Sequence, residues 1–241
     1  MTNQSKEKFK IYKNVFDEFT LNTLFKLSSQ GHFDDLIQPV KIGKEANIFL
    51  AETREDYVIV KIYRLASCNF NKMYYYIKSD PRFMDIKNKR RIVIFKWVQR
   101  EYKNLLTARE VINVPKPIAF SNNVIVMESI GNNMPAQQLK DNYPKKKDYF
   151  CKKVLEFVEK LANVNLVHGD LSEFNILNLN DEPYFIDFSQ STSLDDPNGF
   201  EYLKRDLENL KKFFEKLNFS FDLEKIFEKI KEKHKKRLFK K

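Results

Sequence analysis

The chain has 241 residues, 42% of them hydrophobic and 14% aromatic, with 43 basic against 33 acidic side chains and a formal net charge of +10. That length and apolar content exclude a disordered chain and a scaffold dependent on disulfides or structural metals for its core. The basic excess suits an anionic partner such as RNA or a phosphate-bearing ligand, and equally a lysine-rich solvated surface, so charge alone names no function.

The polar start MTNQSKEKFK lacks the apolar stretch of a secretory signal. Nowhere do the roughly 18 apolar residues needed to span a bilayer run together. Cys68 and Cys151 form no closely spaced pair. The expectation is a soluble, cytoplasmic protein in a reducing compartment, with no membrane contact.

In TLNTLFKLSSQG, Leu21, Leu24 and Phe25 recur at helical spacing, with Thr20 as the candidate cap and Gly31 as the candidate end. ANIFLAE and YVIVKIY predict two strands joined by a hairpin turn at TRED. Residues 64–91 mix Tyr74, Tyr75 and Tyr76 with the basic run KNKRR, and predict a mobile or partner-binding segment. A helix follows with Val98, Tyr102, Leu105 and Leu106 on one face. It should stop before VPKP, because proline disfavours helical backbone in the residue preceding it.

VIVMESI predicts a buried strand that leads into the linker GNNMPAQQ. Val154, Phe157, Val158 and Leu161 then mark a helix, and ILNL and YFID read as short strands joined by the turn NDEP. Phe200, Leu203, Leu207, Leu210 and Phe214 space out an amphipathic helix. A last helix, with Leu223, Ile226, Phe227 and Ile230, runs into the basic tail KEKHKKRLFKK. Strands early and helices late predict an α+β, two-lobed protein: an N-terminal lobe over 1–130 and a C-terminal lobe over 131–241.

The densest chemical signal is LVHGDLSEFNILNLNDEPYFID, residues 166–187. Apolar residues lead to His168, Asp170 follows in a loop, Asn175 comes five positions later, and a hairpin ends at Asp187. One carboxylate can orient an attacking hydroxyl, while an Asn and a second carboxylate offer hard oxygen ligands to Mg²⁺. Mg²⁺ needs few protein ligands when the phosphates of ATP complete its shell. Any one of these residues alone would read as an ordinary capping side chain. The combination reads as phosphoryl transfer.

This segment resembles the catalytic and metal-binding loops of the protein-kinase superfamily, with Asp170 matching the catalytic aspartate and Asn175 and Asp187 its metal ligands. GKEANIFLAE, YIKSDPRF, VIVMESIG, VHGDLSEFN and IDFSQS are similar to the RIO family of atypical serine/threonine kinases, in particular its first subfamily. The resemblance covers about residues 15–214.

It implies that Lys61 contacts the α- and β-phosphates and that Glu101 pairs with it. Gly43 and Lys44 would belong to the phosphate-covering loop, with Asn47 and Glu45 assisting. The backbone of Glu128 and Ile130 would bind the adenine edge, with Met127 behind it and Ser129 between them. It further implies Mg²⁺ with Mn²⁺ as an alternative ion, and ATP hydrolysis through a transient phosphoryl group on Asp187. Its partner would be the pre-ribosomal small subunit and its rRNA, contacted by the basic segments 87–91 and 229–241. Ser67 and Ser79 are candidate self-phosphorylation sites.

Ser189 stands where ordinary kinases have glycine, and no A-P-E segment follows, so the peptide-docking platform is short or absent. A small-molecule phosphotransferase of the aminoglycoside or choline kinase type, and a non-catalytic pre-ribosome binding module, are the alternatives.

Overall fold

The computed structural model describes residues 16–83, 88–131 and 134–238. The chain divides into two compact units, Met1–Tyr102 with Lys116–Pro135, and Lys103–Pro115 with Ala136–Lys241.

The first unit is built on a five-stranded antiparallel sheet in the order β1-β2-β3-β5-β4. Its strands are β1 (Asp35–Ile42), β2 (Ala46–Glu52), β3 (Tyr57–Tyr63), β4 (Pro117–Ser121) and β5 (Val124–Glu128). The two central hairpin strands follow their β-branched and aromatic runs, and Thr53 closes the turn between them by bonding Asp56 through both backbone and side chain.

Strand β1 carries no alternating signal in DLIQPVKI and contains Pro39. It lies at the sheet edge, almost wholly exposed, with register irregularities on either side of Gln38 and Pro39. An edge is where a strand tolerates proline. β4 lies at the other edge and is half-exposed, which hides it for the same reason.

Directly paired residues project from the same face of a sheet. Asn47, Ile62 and Val124 therefore share one face, with Phe49, Val60 and Val126 beside them. Helix α1 (Glu18–Ser29) covers this face through Leu24 and Leu27, in a core that also holds Phe16 and Phe33. The cap of α1 is Asp17, which accepts hydrogen bonds from the Thr20 amide and hydroxyl; Thr20 is inside the helix and is not its cap. Gly31 follows the end of α1 with φ +81°, as expected for a helix terminus.

Residues 64–91 contain regular structure over their described part, where a mobile or partner-binding segment was expected. Helix α2 (Phe70–Lys78) and a 3₁₀ turn (Pro81–Phe83) bury Met73, Tyr76, Ile77, Asp80 and Phe83. The aromatics that suggested a partner surface are core in part: Tyr76 stacks edge-on against Trp97, while Tyr75 is 59% exposed. Lys87 of the basic run lies outside the described residues; Arg90 and Arg91 open helix α3 (Arg90–Arg109). α3 stops before the proline pair. Its buried face includes Val93, Trp97, Arg100, Glu101, Asn104 and Leu105, whereas Leu106 is exposed. Asn132 and Asn133 of the linker lie outside the described residues.

The second unit holds helix α4 (Lys147–Asn163), α5 (Gly199–Lys216) and α6 (Leu223–Leu238), with two small ladders. β6 (Leu166–Val167) pairs β9 (Thr192–Ser193), and β7 (Ile176–Leu179) pairs β8 (Glu182–Phe185). The β7–β8 turn is the two residues Asn180 and Asp181, both at positive φ, in place of the longer NDEP turn. Asn and Asp tolerate that left-handed geometry, which matches the twist of a tight hairpin. Val154, Phe157, Val158 and Leu161 of α4, and Leu203, Leu207, Leu210 and Phe214 of α5, are all buried. Residues 239–241 of the basic tail lie outside the described residues.

Candidate active site

Strand β6 delivers the chain to His168, Gly169 and Asp170. Gly169 sits at φ +80°, and a Cβ there would come within 3.0 Å of the Gln190 carbonyl oxygen, so only glycine fits without strain. Helix α5 braces this loop from beneath. The Asp206 carboxylate accepts the Gly169 amide at 2.7 Å and the Leu171 amide at 2.8 Å. Arg205 donates to the Gly169 carbonyl, and Asn209 donates to the Leu171 carbonyl at 3.2 Å. The backbone on both sides of Asp170 is thus tied to consecutive turns of one helix.

Asp206 is 1% exposed, and burial pushes its carboxyl up to about 7 against the pull of its two backbone donors and Arg205. The folded chain therefore keeps a proton there that the unfolded chain releases near the ordinary carboxylate value. Stability from this group is complete at low pH and is lost as pH rises from about 4 towards 7. The unfolding free energy should fall across that window in a urea titration series. Asp206→Asn should flatten that part of the profile.

Asn175 ends the loop and Asp187 follows the hairpin. The Ile186 amide donates to the Asn175 carbonyl at 3.0 Å, extending the Ile176–Phe185 pairing by one bond. The two candidate ligands are thereby brought to the open end of one hairpin. Asn175 donates its side-chain amide to the Asp170 carbonyl at 2.8 Å, which leaves its Oδ1 as the atom with acceptor capacity. Its longer contact to Asp170 Oδ2 is 3.5 Å. Asp187 adopts φ +64°, the left-handed conformation that Asp and Asn tolerate better than other non-glycine residues. Ser189 Oγ donates to Asp187 Oδ1 at 2.7 Å, and Gln190 Nε2 donates to Asp170 Oδ2 at 2.9 Å.

Among the described residues no three or more His, Cys, Asp and Glu side chains gather to hold a metal ion. An Asn and an Asp on adjoining strand ends fit Mg²⁺, which takes one or two carboxylates and fills its shell with substrate phosphates and water.

In the first unit, Lys61 and Ile125 pair, and so do Ile59 and Met127, so Lys61 and Met127 project from the sheet face opposite α1. Lys61 is 6% exposed and Glu101 is fully buried. Lys61 Nζ reaches Glu101 Oε1 at 2.7 Å, and the Tyr63 hydroxyl donates to Glu101 Oε2 at 2.7 Å. One carboxylate thus orients the lysine with both oxygens engaged.

SDPRF anchors the helix that carries Glu101. Arg82 grips Asp80 at 2.7–3.2 Å, and the fully buried Arg100 reaches the same carboxylate at 3.1 Å. Burial acts to raise the Asp80 carboxyl, but the Arg82 hydrogen bonds and the two arginine charges outweigh it and hold it below the usual range.

Gly43, Lys44 and Glu45 make a tight turn between β1 and β2, closed by the Gly43 amide on the Ala46 carbonyl at 3.0 Å. Its carbonyls are pinned by the segment after β3. Ser67 Oγ donates to Lys44, the Arg64 amide and Cys68 Sγ donate to Glu45, and the Arg64 guanidinium reaches Gly43. Glu45 holds the loop through its backbone. Asn47 is buried on the α1 face with Oδ1 lacking a partner, so its side chain points away from the face that carries Lys61. Met127, Ser129 and Ile130 are buried, and Glu128 exchanges bonds with Lys116 through its amide and side chain.

Tyr63, Asn104, Gln190, Arg205, Asp206 and Asn209 were not identified from sequence as site residues. The available signal was polarity at core-facing positions: Asp206 falls between Leu203 and Leu207 on the apolar side of α5, and Asn104 is fully buried on α3.

The sheet, the braced loop and the hairpin with its two candidate ligands define a protein-kinase-like fold. The Rio2 kinase of Chaetomium thermophilum matches with a TM-score of 0.68 at 23% identity, covering 86% of this chain and 66% of that one. The same kinase solved as an ADP/Mg²⁺-phosphoaspartate complex matches with a TM-score of 0.67 at 22% identity, over 86% of this chain and 65% of that one. The chain thus spans about two thirds of these solved structures, and at such identity the likeness is one of fold.

The RIO domain matches residues 47–226. The Rio1 RIO-type serine/threonine-protein kinase of Methanocaldococcus jannaschii is 44% identical over 210 residues, 86% of this chain and 72% of that protein. Its Haloferax volcanii counterpart is 36% identical over 225 residues, 92% of this chain and 78% of that protein. The chain belongs to the RIO family of serine/threonine protein kinases.

Proposed function

We propose that the chain transfers the γ-phosphoryl group of Mg-ATP to serine or threonine hydroxyls, and also hydrolyses ATP. The braced loop and hairpin carry this reading: Asp170 is held at its flanking amides and carbonyls by α5, and Asn175 and Asp187 sit at adjoining strand ends. Asp170 orients the incoming hydroxyl and accepts its proton. Asn175 Oδ1 and the Asp187 carboxylate hold Mg²⁺, which neutralises charge on the phosphates; Mn²⁺ suits the same oxygens. Lys61, fixed by Glu101, supplies preset positive charge to the α- and β-phosphates. Gly43 and Lys44 cover the phosphates. The backbone of Glu128 and Ile130 receives adenine, with Met127 lining the pocket. In this reading residues 1–130 bind nucleotide and 131–241 carry the catalytic groups.

For hydrolysis, an Asp187 carboxylate oxygen bonds to the γ-phosphorus as the bond to the β–γ bridging oxygen breaks, releasing ADP. Water then hydrolyses the acyl phosphate to free phosphate and restores the carboxylate. The phosphoaspartate of the Chaetomium thermophilum Rio2 complex supports this route by analogy of fold.

The partner we propose is the pre-ribosomal small subunit, contacted through RNA phosphates by the lysine-rich face of α6, among other basic segments. Two free, buried thiols suit a cytoplasmic, reducing setting, the compartment we assign. The test is ATP turnover with purified pre-ribosomal particles, native chain against Asp187→Asn. Particle-stimulated turnover that yields a hydroxylamine-labile phosphoprotein, both abolished by the substitution, is the expected result. Undiminished turnover in Asp187→Asn would overturn the assignment.

A further inference from the structure

The loop after Asp187 closes as a turn: the Ser191 amide donates to the Phe188 carbonyl at 3.3 Å. Both ends of that turn are pegged by one side chain. Asn104, fully buried on α3, donates its amide group to the Phe188 carbonyl at 3.0 Å and to the Ser191 carbonyl at 2.8 Å. An amide NH₂ has two hydrogens, so one side chain serves both carbonyls, and an apolar residue of the same size would take that donor from the Ser191 carbonyl and leave the Phe188 carbonyl with the turn bond from the Ser191 amide.

The two residues inside the turn then each meet a candidate catalytic carboxylate. Ser189 Oγ lies 2.7 Å from Asp187 Oδ1, and Gln190 Nε2 lies 2.9 Å from Asp170 Oδ2. The outgoing end is tied as well, since Ser191 Oγ donates to the His168 carbonyl at 2.9 Å. Asn104 touches neither carboxylate in any of these bonds. It fixes the piece of backbone from which both are contacted.

We infer that Asn104 is a positioning residue for phosphoryl transfer: by pegging the Phe188–Ser191 turn it sets Ser189 on Asp187 and Gln190 on Asp170, and so fixes the metal ligand and the hydroxyl-orienting group together. The inference rests on the proposed roles of those two aspartates. It explains why serine stands directly after the Asp187-Phe188 pair. A hydroxyl there gives Asp187 Oδ1 a fixed donor and leaves the carboxylate one preferred orientation toward a cation. It also separates two kinds of polar residue in the unit: Asp206 and Asn209 hold the backbone around Asp170, and Asn104 governs the side chains that face the two carboxylates.

The test compares the full chain with Asn104→Leu, Ser189→Ala and Gln190→Ala, with Asp187→Asn as the reference. Turnover is measured against Mg²⁺ concentration, alongside binding of Mg²⁺-free ADP. Supporting atoms behind a metal ligand are typically worth tenfold to a hundredfold, so Asn104→Leu should raise the Mg²⁺ needed for half-maximal turnover by roughly tenfold and lower kcat by roughly 10–100-fold. Mg²⁺-free ADP binding should stay within about twofold, because uniform nucleotide affinity is not what the peg supplies. Adding Ser189→Ala to Asn104→Leu should raise the Mg²⁺ requirement by less than the product of the two single effects, since both act on one carboxylate.

If Asn104→Leu lowers thermal stability but leaves the Mg²⁺ requirement and kcat of the folded fraction unchanged, the residue is only structural and the inference is overturned. If that variant does not fold, Ser189→Ala must raise the Mg²⁺ requirement and Gln190→Ala must lower kcat; failure of both overturns the inference equally. Persistent turnover in Asp187→Asn at an unchanged Mg²⁺ requirement, in place of the expected loss, would instead sink the underlying assignment of the metal site.

Discussion

Asp170→Asn lowers phosphoryl transfer by roughly 10²–10⁴-fold, the usual worth of a positioned group that accepts a proton in the transition state. The substitution keeps the shape of the side chain and an oxygen able to accept from Gln190 and Asn175, both of which now approach Asp170 Oδ2. The amide cannot take the proton of an incoming hydroxyl. The backbone ties on either side of the residue are main-chain bonds to Asp206 and Asn209, and they survive the change. ADP affinity should therefore hold within about twofold and the fold should be unaltered, giving a loss confined to kcat. Steady-state turnover with calorimetric ADP binding checks both halves. A variant retaining most of its turnover would remove Asp170 from the reaction and leave it a structural loop residue.

The second large effect is on stability. Glu101→Ala lowers the unfolding free energy by about 3–5 kcal/mol, because it removes the carboxylate bonded to a largely buried lysine. Lys61 is 6% exposed, its ammonium lies 2.7 Å from Glu101, and the Tyr63 hydroxyl loses its acceptor in the same step. Lys61→Met should cost clearly less, since it removes the buried charge itself and leaves Glu101 bonded to Tyr63. Urea unfolding of both single variants and of the pair gives the comparison. If the lysine variant proves the more damaging, the account of the pair as an ammonium dependent on its carboxylate is wrong.

The candidate site was far more legible in the sequence than the groups that support it. Asp170, Asn175 and Asp187 stand out because a metal and a hydroxyl need oxygen-bearing side chains at short chain separation, and a loop and hairpin keep such groups close in sequence. Their supports sit about 35 or about 85 residues away, as with Asp206 to Leu171 or Asn104 to Ser191. Periodicity shows that a polar residue lies on the core side of a helix, but not which backbone carbonyl it meets. The helices α4 and α5 followed their apolar spacing because tertiary packing and pattern agree there.

The edge strands failed for the opposite reason. β1 and β4 bury little, so their composition carries no alternation to read. The helix after β3 went unread because a tyrosine triplet beside a basic run resembles a partner surface. Tyr76 instead belongs to a packed helix, whose neighbouring Asp80 accepts two arginines. Only the pairing of Asp80 with Arg100, twenty residues on, shows SDPRF to be a brace.

Each compact unit encloses one thiol, Cys68 in the first and Cys151 in the second. Burial lifts them to about 11 and about 12, so both stay protonated at neutral pH, and Cys68 keeps its hydrogen on the Glu45 carbonyl at 3.0 Å. Reagents that attack the thiolate find almost none while the fold is closed. Alkylation at either position must therefore wait for its own surroundings to open. The chain carries two native chemical clocks, one timing the breathing around the Gly43–Glu45 turn, whose carbonyl Cys68 bonds, and the other that of helix α4 in the second unit.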